Sequence, residues 1–326
     1  MDTLEKNEKQ GILDDILNDE VDIESEVEKE QIESSSQYEK YQINSGEALD
    51  NNDFYKIAAR ERTKMMMLVG PVACGKTTME TSIYQMFQRN PVCEYYFAGS
   101  RSLQGFEQRS YYTRIQSRGN IPETQRTRLD DTNVLLHLRL WNKNSDEFNN
   151  LILADLSGES FTNSIGQVEE IKKKYDFAER ADFIIGIIDG EKLCNKRTRN
   201  SVVAEITELL RTFYDAEVLN SDCILQIVIS KYDLLREVHN YEEIQKKVKS
   251  QISGCLSTIF PSIEYFEVAA MPTNTQQTTI GYGLEQLLLS WLRKRNCDNF
   301  ISNLESFEEL SEFDRLHYKL LEKENE

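Results

Sequence analysis

The segment GPVACGKTT, residues 70–78, has the residue types and spacing of a loop that binds phosphate. Gly70 and Gly75 let the backbone curl so that its amide groups point inward, and the following helix adds the positive end of its dipole. Lys76 offers a charge to the β- and γ-phosphates, and Thr77 offers a hydroxyl group to Mg²⁺. The alternative is a turn that only starts a helix, but the full pattern lies between a predicted strand and a predicted helix. The predicted nucleotide-binding residues of this segment are Gly70, Cys74, Gly75, Lys76, Thr77 and Thr78.

A second candidate segment is ILADLSGES, residues 152–160. Asp155 ends an apolar run, where its carboxylate can hold Mg²⁺, and Gly158 can present its amide to the γ-phosphate. Glu159 stands where a glutamine would orient the attacking water. An ionised glutamate can only accept hydrogen bonds, so either Glu159 positions the water as an acceptor or it points away and hydrolysis waits for a partner.

The third segment, IVISKYDLL, indicates which base is bound. Asp233 can accept hydrogen bonds from both N1–H and the 2-amino group of guanine, whereas adenine offers no such pair of donors. Lys231 can lay its aliphatic stem on the base, and Ser230 completes the motif. Ala269 lies where a backbone amide would meet the guanine O6. The three segments predict a Mg²⁺-dependent GTPase, with a non-hydrolysing GTP-binding scaffold and an ATPase as the alternatives.

These segments require a sheet that brings the ends of several strands together. Seven apolar runs alternate with stretches of helical periodicity at 76–89, 163–178, 198–215, 241–256 and 283–295. This alternation predicts an α/β fold of three layers. Together with the GPVACGKTT pattern, it resembles the fold of P-loop nucleoside triphosphatases. Its sheet would be mostly parallel with helices on both faces. The runs NVLLHLRLW and LILADL have no helix between them, so we expect an antiparallel hairpin at one edge.

Charge and composition divide the chain into regions. Residues 1–50 hold 16 Asp and Glu against 4 Lys, so twelve of the 18 net negative charges lie there. We expect an acidic, disordered tail over 1–52, a GTPase domain over 53–296, and an amphipathic acidic helix over 297–326. The negative charge disfavours nucleic acid as a partner, and no apolar run is long enough to span a membrane.

Six scattered cysteines form no zinc pattern and are typical of reduced thiols, which predicts a cytoplasmic protein. Cys74 lies beside Lys76 and a helix N-terminus, an environment that lowers the pKa of a thiol. One interpretation is redox control of nucleotide binding. The other is a small side chain filling a slot that Ser or Ala could also fill.

With these motifs in order, the chain resembles the P-loop GTPases of the Ras-like, translation-factor-related class over about residues 60–296. The phrases LADLSGESF, ADFIIGIIDGEKL and IVISKYDLL, after YYFAGSRSLQGFEQRSYYTRIQSRGNIPETQRT, also resemble the bacterial double-GTPase family, second type. That resemblance implies a role in conflict or defence systems. It also implies a protein partner, either a GTPase-activating-like domain or a second GTPase subunit.

The resemblance further implies a first-switch threonine that binds Mg²⁺, for which Thr127 is preferred over Thr124. Both lie in a basic insert, about 90–132, which carries six arginines against two glutamates between residues 101 and 128. The insert is either a solvated helix face or the source of an arginine, Arg126 or Arg128, that contacts the transferred phosphoryl group. It could also bind the acidic tail.

Overall fold

The computed structural model describes residues 45–114, 117–118, 124 and 135–293, in which strands and helices alternate. The strands are β1 (Thr63–Val69), β2 (Tyr95–Gly99), β3 (Leu135–Asn142), β4 (Glu147–Ala154), β5 (Ala181–Asp189), β6 (Ile224–Ser230) and β7 (Ile263–Glu267). The first helices are α1 (Asn51–Ala58), α2 (Lys76–Arg89), α3 (Leu103–Ser110), α4 (Gly158–Ser164) and α5 (Val168–Lys174). The later ones are α6 (Gly190–Cys194), α7 (Arg199–Asp215), α8 (Tyr232–Arg236), α9 (Tyr241–Leu256) and α10 (Leu284–Leu292). Short 3₁₀ turns follow α3 and α5, at Tyr111–Thr113 and Asp176–Arg180.

The strands form one sheet in the order β2-β3-β4-β1-β5-β6-β7. Within the stretch β4-β1-β5-β6-β7, each strand is parallel to the next. β3 runs antiparallel to both β4 and β2, and the β3–β4 pair is the expected hairpin. The predicted fold class is therefore confirmed. β2 pairs along the outer side of the hairpin, so the antiparallel strand β3 is second in the sheet.

The core lies on both faces of the sheet. In β1, Met65, Met67 and Val69 point into one apolar cluster, and Met66 and Leu68 point into the other. Helices α7 and α9 contribute to the first cluster, and α2 and α10 to the second. Side chains alternate across a strand, so a strand covered on both faces needs a continuous apolar run. This requirement explains the sequence KMMMLV.

One predicted helix, over 163–178, is interrupted in the structure. The chain forms α4, then α5, then a 3₁₀ turn. Gly166 lies between α4 and α5 with φ of +74°, in the left-handed region, and its amide donates to the Thr212 hydroxyl group at 3.1 Å. This backbone conformation ends the first helical segment, although the apolar spacing continues through it.

Residues at the end of the predicted tail belong to the folded unit, which begins at Gly46. Leu49 exchanges two backbone hydrogen bonds with Leu135, and Asp50 caps α1 by accepting from the amide of Asp53 at 2.7 Å. Residues 1–44 and the predicted C-terminal helix, 297–326, lie outside the described residues. No helix in the described ranges has the length and apolarity needed to cross a lipid bilayer.

Candidate functional site

A cavity of about 600 Å³ opens where β1, β4 and β6 end. The strands are parallel, so the loops after their carboxyl ends meet at the same edge of the sheet. All three predicted segments contribute to its walls. The predicted site residues that line it are Gly75, Lys76, Thr77, Thr78, Gly158, Glu159, Ser230, Lys231, Asp233 and Ala269.

The phosphate loop connects β1 to α2. The Lys76 ammonium group donates to the carbonyl oxygens of Gly70 at 2.8 Å and Pro71 at 3.0 Å. Gly70 and Cys74 are not among the residues that line the cavity. A Cβ atom on Gly70 would lie 2.9 Å from the Cys74 sulfur, so these two residues pack against each other behind the loop.

Cys74 corrects one expectation from the sequence. Its side chain is fully buried, and burial raises the pKa of the thiol. The charge of Lys76 acts in the opposite direction but is the smaller effect. A buried, protonated thiol is a poor target for oxidation. Of the two interpretations, the structure supports the small side chain that fills a slot.

Thr77 and Asp155 form the predicted metal corner. The Thr77 hydroxyl group donates to Asp155 Oδ1 at 2.9 Å, and Asp155 is fully buried. Hydroxyl and carboxylate oxygens are hard ligands of the kind that Mg²⁺ takes, together with waters and substrate phosphates. Within the described ranges no cluster of three or more His, Cys, Asp or Glu could hold a metal by itself. The donor set therefore fits Mg²⁺ bound together with a nucleotide.

Two charged residues that sequence reasoning did not place in the site stand behind this corner. Arg109 donates from Nε to Asp155 Oδ2 at 2.6 Å. Glu80, on α2, is fully buried, and burial and the nearby Asp155 charge raise the pKa of its carboxyl well above the ordinary range. Glu80 is four residues after Lys76, so a charged residue on the inward face of α2 was the signal that could have found it.

The base-recognition motif is held by three residues from two other segments. Asp233 Oδ2 accepts from the amide of Thr273 at 2.9 Å and from its hydroxyl group at 3.1 Å. Lys231 donates to Asp189 at 3.0 Å and to Glu191 at 2.9 Å. Burial tends to lower the pKa of Lys231, but the two carboxylates outweigh it and raise that pKa. None of Thr273, Asp189 and Glu191 was predicted.

Two further predicted binding residues already make hydrogen bonds within the protein. The Ser230 hydroxyl group donates to the carbonyl oxygen of Cys74 at 2.6 Å, which joins the end of β6 to the phosphate loop. The amide of Ala269 donates to the Tyr282 carbonyl oxygen at 3.0 Å. The predicted bond from Ala269 to guanine O6 would compete with that bond, and Ala270 lines the same wall.

The switch residues are only partly described. Thr124 lines the cavity, and its hydroxyl oxygen lies 3.2 Å from that of Thr78. The preferred candidate, Thr127, lies outside the described residues, as do Arg126 and Arg128. Glu159 is exposed in the first turn of α4 and lines the cavity.

None of the curated proteins matches the chain. Among solved structures it is similar to the crystal structure of bacterial selenocysteine-specific elongation factor EF-Sec, with 15% identity and a TM-score of 0.37. The match covers 72% of this chain and 30% of that one, so this chain spans less than a third of its length. A family model described as Double-GTPase 2 matches residues 64–292, more than half of the chain and all three nucleotide motifs. The chain is a P-loop GTPase that belongs to the Double-GTPase 2 family.

Proposed function

We propose that the protein is a Mg²⁺-dependent GTPase switch with slow intrinsic hydrolysis, whose turnover is controlled by a protein partner. One observation carries the proposal. Residues for a triphosphate, for its cation and for guanine line or adjoin one cavity of about 600 Å³, although they come from chain positions as distant as Lys76 and Asp233. That volume is in the range of pockets for small ligands.

The residues have distinct roles in this proposal. Lys76 would bind the β- and γ-phosphates in place of its two carbonyl partners, and Thr77 and Asp155 would hold Mg²⁺. The bound cation would neutralise charge on the phosphates. The first-switch threonine is Thr127 or Thr124, and Thr124 lies against Thr78 at the start of α2. Asp233, oriented by Thr273, accepts from guanine.

Glu159 accounts for the slow rate. It lies in the cavity wall, where an ionised carboxylate can accept a hydrogen bond from the attacking water but cannot donate one to the phosphate. A partner would supply the missing positive charge, as an arginine from a second protein does in other GTPases. We propose a GTPase-activating-like protein or a second GTPase subunit, within a bacterial conflict or defence system.

The exposure of Glu159 also favours a second candidate, a GTP-binding scaffold that does not hydrolyse. The same experiment separates the two. Nucleotide-free protein is titrated with fluorescent GTP and ATP, and single-turnover hydrolysis is then followed with Mg²⁺. We expect the affinity for GTP to exceed that for ATP by about a hundredfold or more, because adenine would leave the Asp233 carboxylate without its pair of donors. Equal affinities would contradict the proposal, and tight GTP binding without turnover would support the scaffold.

A further inference from the structure

The basic insert contributes a part-buried side chain, that of Arg109, to the metal corner. We propose that Arg109 is a positioning residue for Asp155, and that a short strap, residues 46–49, holds Arg109 in place. The inference rests on the proposed use of Asp155 as a ligand of Mg²⁺. It gives one arginine of the insert a role at the metal rather than at the transferred phosphoryl group.

Two contacts of the Asp155 carboxylate, one on each oxygen, carry the inference. Oδ1 accepts from Thr77, and Oδ2 accepts from Arg109 at 2.6 Å. The Asp155 side chain is 0% exposed and that of Arg109 is 11% exposed, so water screens the pair weakly. A guanidinium group on Oδ2 fixes the rotation of the carboxylate and leaves Oδ1 on the Thr77 side. Partners of this kind orient metal ligands in many proteins.

Arg109 has more than one possible partner. Two buried carboxyl groups, Asp155 and Glu80, lie near Arg109, and its charge acts on the pKa of Glu80. Arg109 nevertheless donates to Asp155, and neither oxygen of Glu80 accepts a hydrogen bond within the part of the chain that the structure describes. The strong, directional contact is therefore made with the proposed metal ligand.

Contacts with the strap and with α2 fix the position of α3, which carries Arg109. Its Gly105 amide donates to the Gly46 carbonyl oxygen at 2.9 Å. A Cβ atom on Gly105 would lie 2.8 Å from the amide nitrogen of Ala48, so only glycine allows the strap to pass this closely. On its other side α3 packs on α2, where the rings of Phe106 and Tyr84 stack at 4.7 Å.

The strap is in turn paired with the sheet. Leu49 donates to Leu135 at 2.8 Å and accepts from it at 3.2 Å, at the start of β3. A continuous set of contacts therefore runs from the strap through α3 and Arg109 to Asp155. Displacing the strap or α3 should loosen the Asp155 carboxylate without touching the nucleotide directly.

The test measures the gain in nucleotide affinity that Mg²⁺ provides. Fluorescent mant-GDP is titrated into the full chain with MgCl₂ and, separately, with EDTA. The parent protein is compared with Arg109→Gln, Arg109→Lys and Gly105→Ala. Arg101→Gln is the matched control, because it removes an equal charge from the same insert. Thermal melting confirms that each variant is folded.

We expect Arg109→Gln to reduce the Mg²⁺-dependent gain about tenfold or more, the usual effect of removing a partner that orients a metal ligand. Its dissociation constant in EDTA should stay within about twofold of the parent, since mutations that spare the contacts of a ligand leave its affinity nearly unchanged. Gly105→Ala should move the gain in the same direction, and Arg101→Gln should leave it unchanged.

A folded Arg109→Gln variant that keeps the parental gain would overturn the inference, as would equal losses in MgCl₂ and EDTA, which indicate a merely structural role. If Arg109→Gln does not fold, Arg109→Lys decides. Lysine keeps the charge but not the planar fork. A smaller but measurable loss of the Mg²⁺-dependent gain in Arg109→Lys therefore supports the inference, and an unchanged gain overturns it. A parent that binds no guanine nucleotide would instead overturn the proposed function.

Discussion

A Cβ atom on Gly158 would lie only 2.6 Å from the amide nitrogen of Val72. The same added Cβ atom would lie 2.7 Å from the carbonyl carbon of Pro71. The loop after β4 therefore rests directly on the backbone of the phosphate loop. Real Cβ atoms do not approach backbone so closely, and backbone cannot rotate away as a flexible side chain can. The two loops must move together when either of them changes position.

The Gly158→Ala variant should separate the two loops. We expect the affinity for GTP to fall about tenfold, because overpacking of this kind costs about 1–3 kcal/mol. Isothermal titration with GTP measures the effect. Gly254→Ala is the matched control: it adds the same methyl group to α9, where no atom lies within 4 Å of the new Cβ. It should keep the parental affinity, and equal affinities for both variants would contradict the close packing.

Glu159 can be tested without changing nucleotide binding. In Glu159→Ala the attacking water loses its hydrogen-bond acceptor. Single-turnover hydrolysis should therefore slow about a hundredfold, at the lower end of the effects of general acids and bases. The dissociation constant of GTP should remain parental. Glu159→Gln keeps the side-chain size and adds a donor, and it should hydrolyse at least as fast as the parent. A Glu159→Ala rate equal to that of the parent would leave partner-supplied catalysis as the only interpretation.

His137 predicts how stability depends on pH. The buried ring accepts from the amide of Arg101 at 3.0 Å and contacts Asn150 Oδ1 at 3.1 Å, so it fits as a neutral imidazole. Burial lowers the pKa of His137, an effect that the hydrogen bond to Asn150 opposes only in part. The nearby charged groups are Arg101, Glu61 and Arg139.

The folded state therefore binds a proton less readily than the unfolded state does. Stability should be complete above the ordinary histidine pKa of about 6.5 and should fall as the pH drops below it. Urea unfolding between pH 7.5 and pH 5 measures this slope. His137→Gln should flatten the slope relative to the parent protein. An unchanged slope in His137→Gln would contradict the prediction.

Local patterns were sufficient to locate the seven strands and helices such as α2, whereas the predicted helix over 163–178 is interrupted at Gly166. The period of residues 76–89 predicted α2 with both of its ends, and the apolar run at 181–190 predicted β5 to within one residue. Each of these features depends on neighbours in the chain. Asp155 and Asp233 could be assigned because strand ends in a parallel sheet meet at one edge.

Contacts between distant segments could not be predicted in the same way. Arg109 was one of six arginines in the insert, and which of them reaches Asp155 depends on the packing of α3 against α2 and the strap. The partner of Asp233, Thr273, lies 40 residues later in a loop with no motif of its own. The strap was assigned to the acidic tail because its composition continues that of the tail, whereas its pairing with β3 needs a partner 86 residues away.

The proposed function depends on the selection of guanine by Asp233 within this cavity, and a base-exchange measurement examines this selection. Affinities for GTP, ATP and xanthosine triphosphate are compared in the parent and in Asp233→Asn. The parent protein should prefer GTP. The variant should lose GTP affinity about a hundredfold, because guanine donors then meet an amide, and it should gain affinity for xanthosine triphosphate. An unchanged preference for GTP in Asp233→Asn would show that Asp233 does not select guanine.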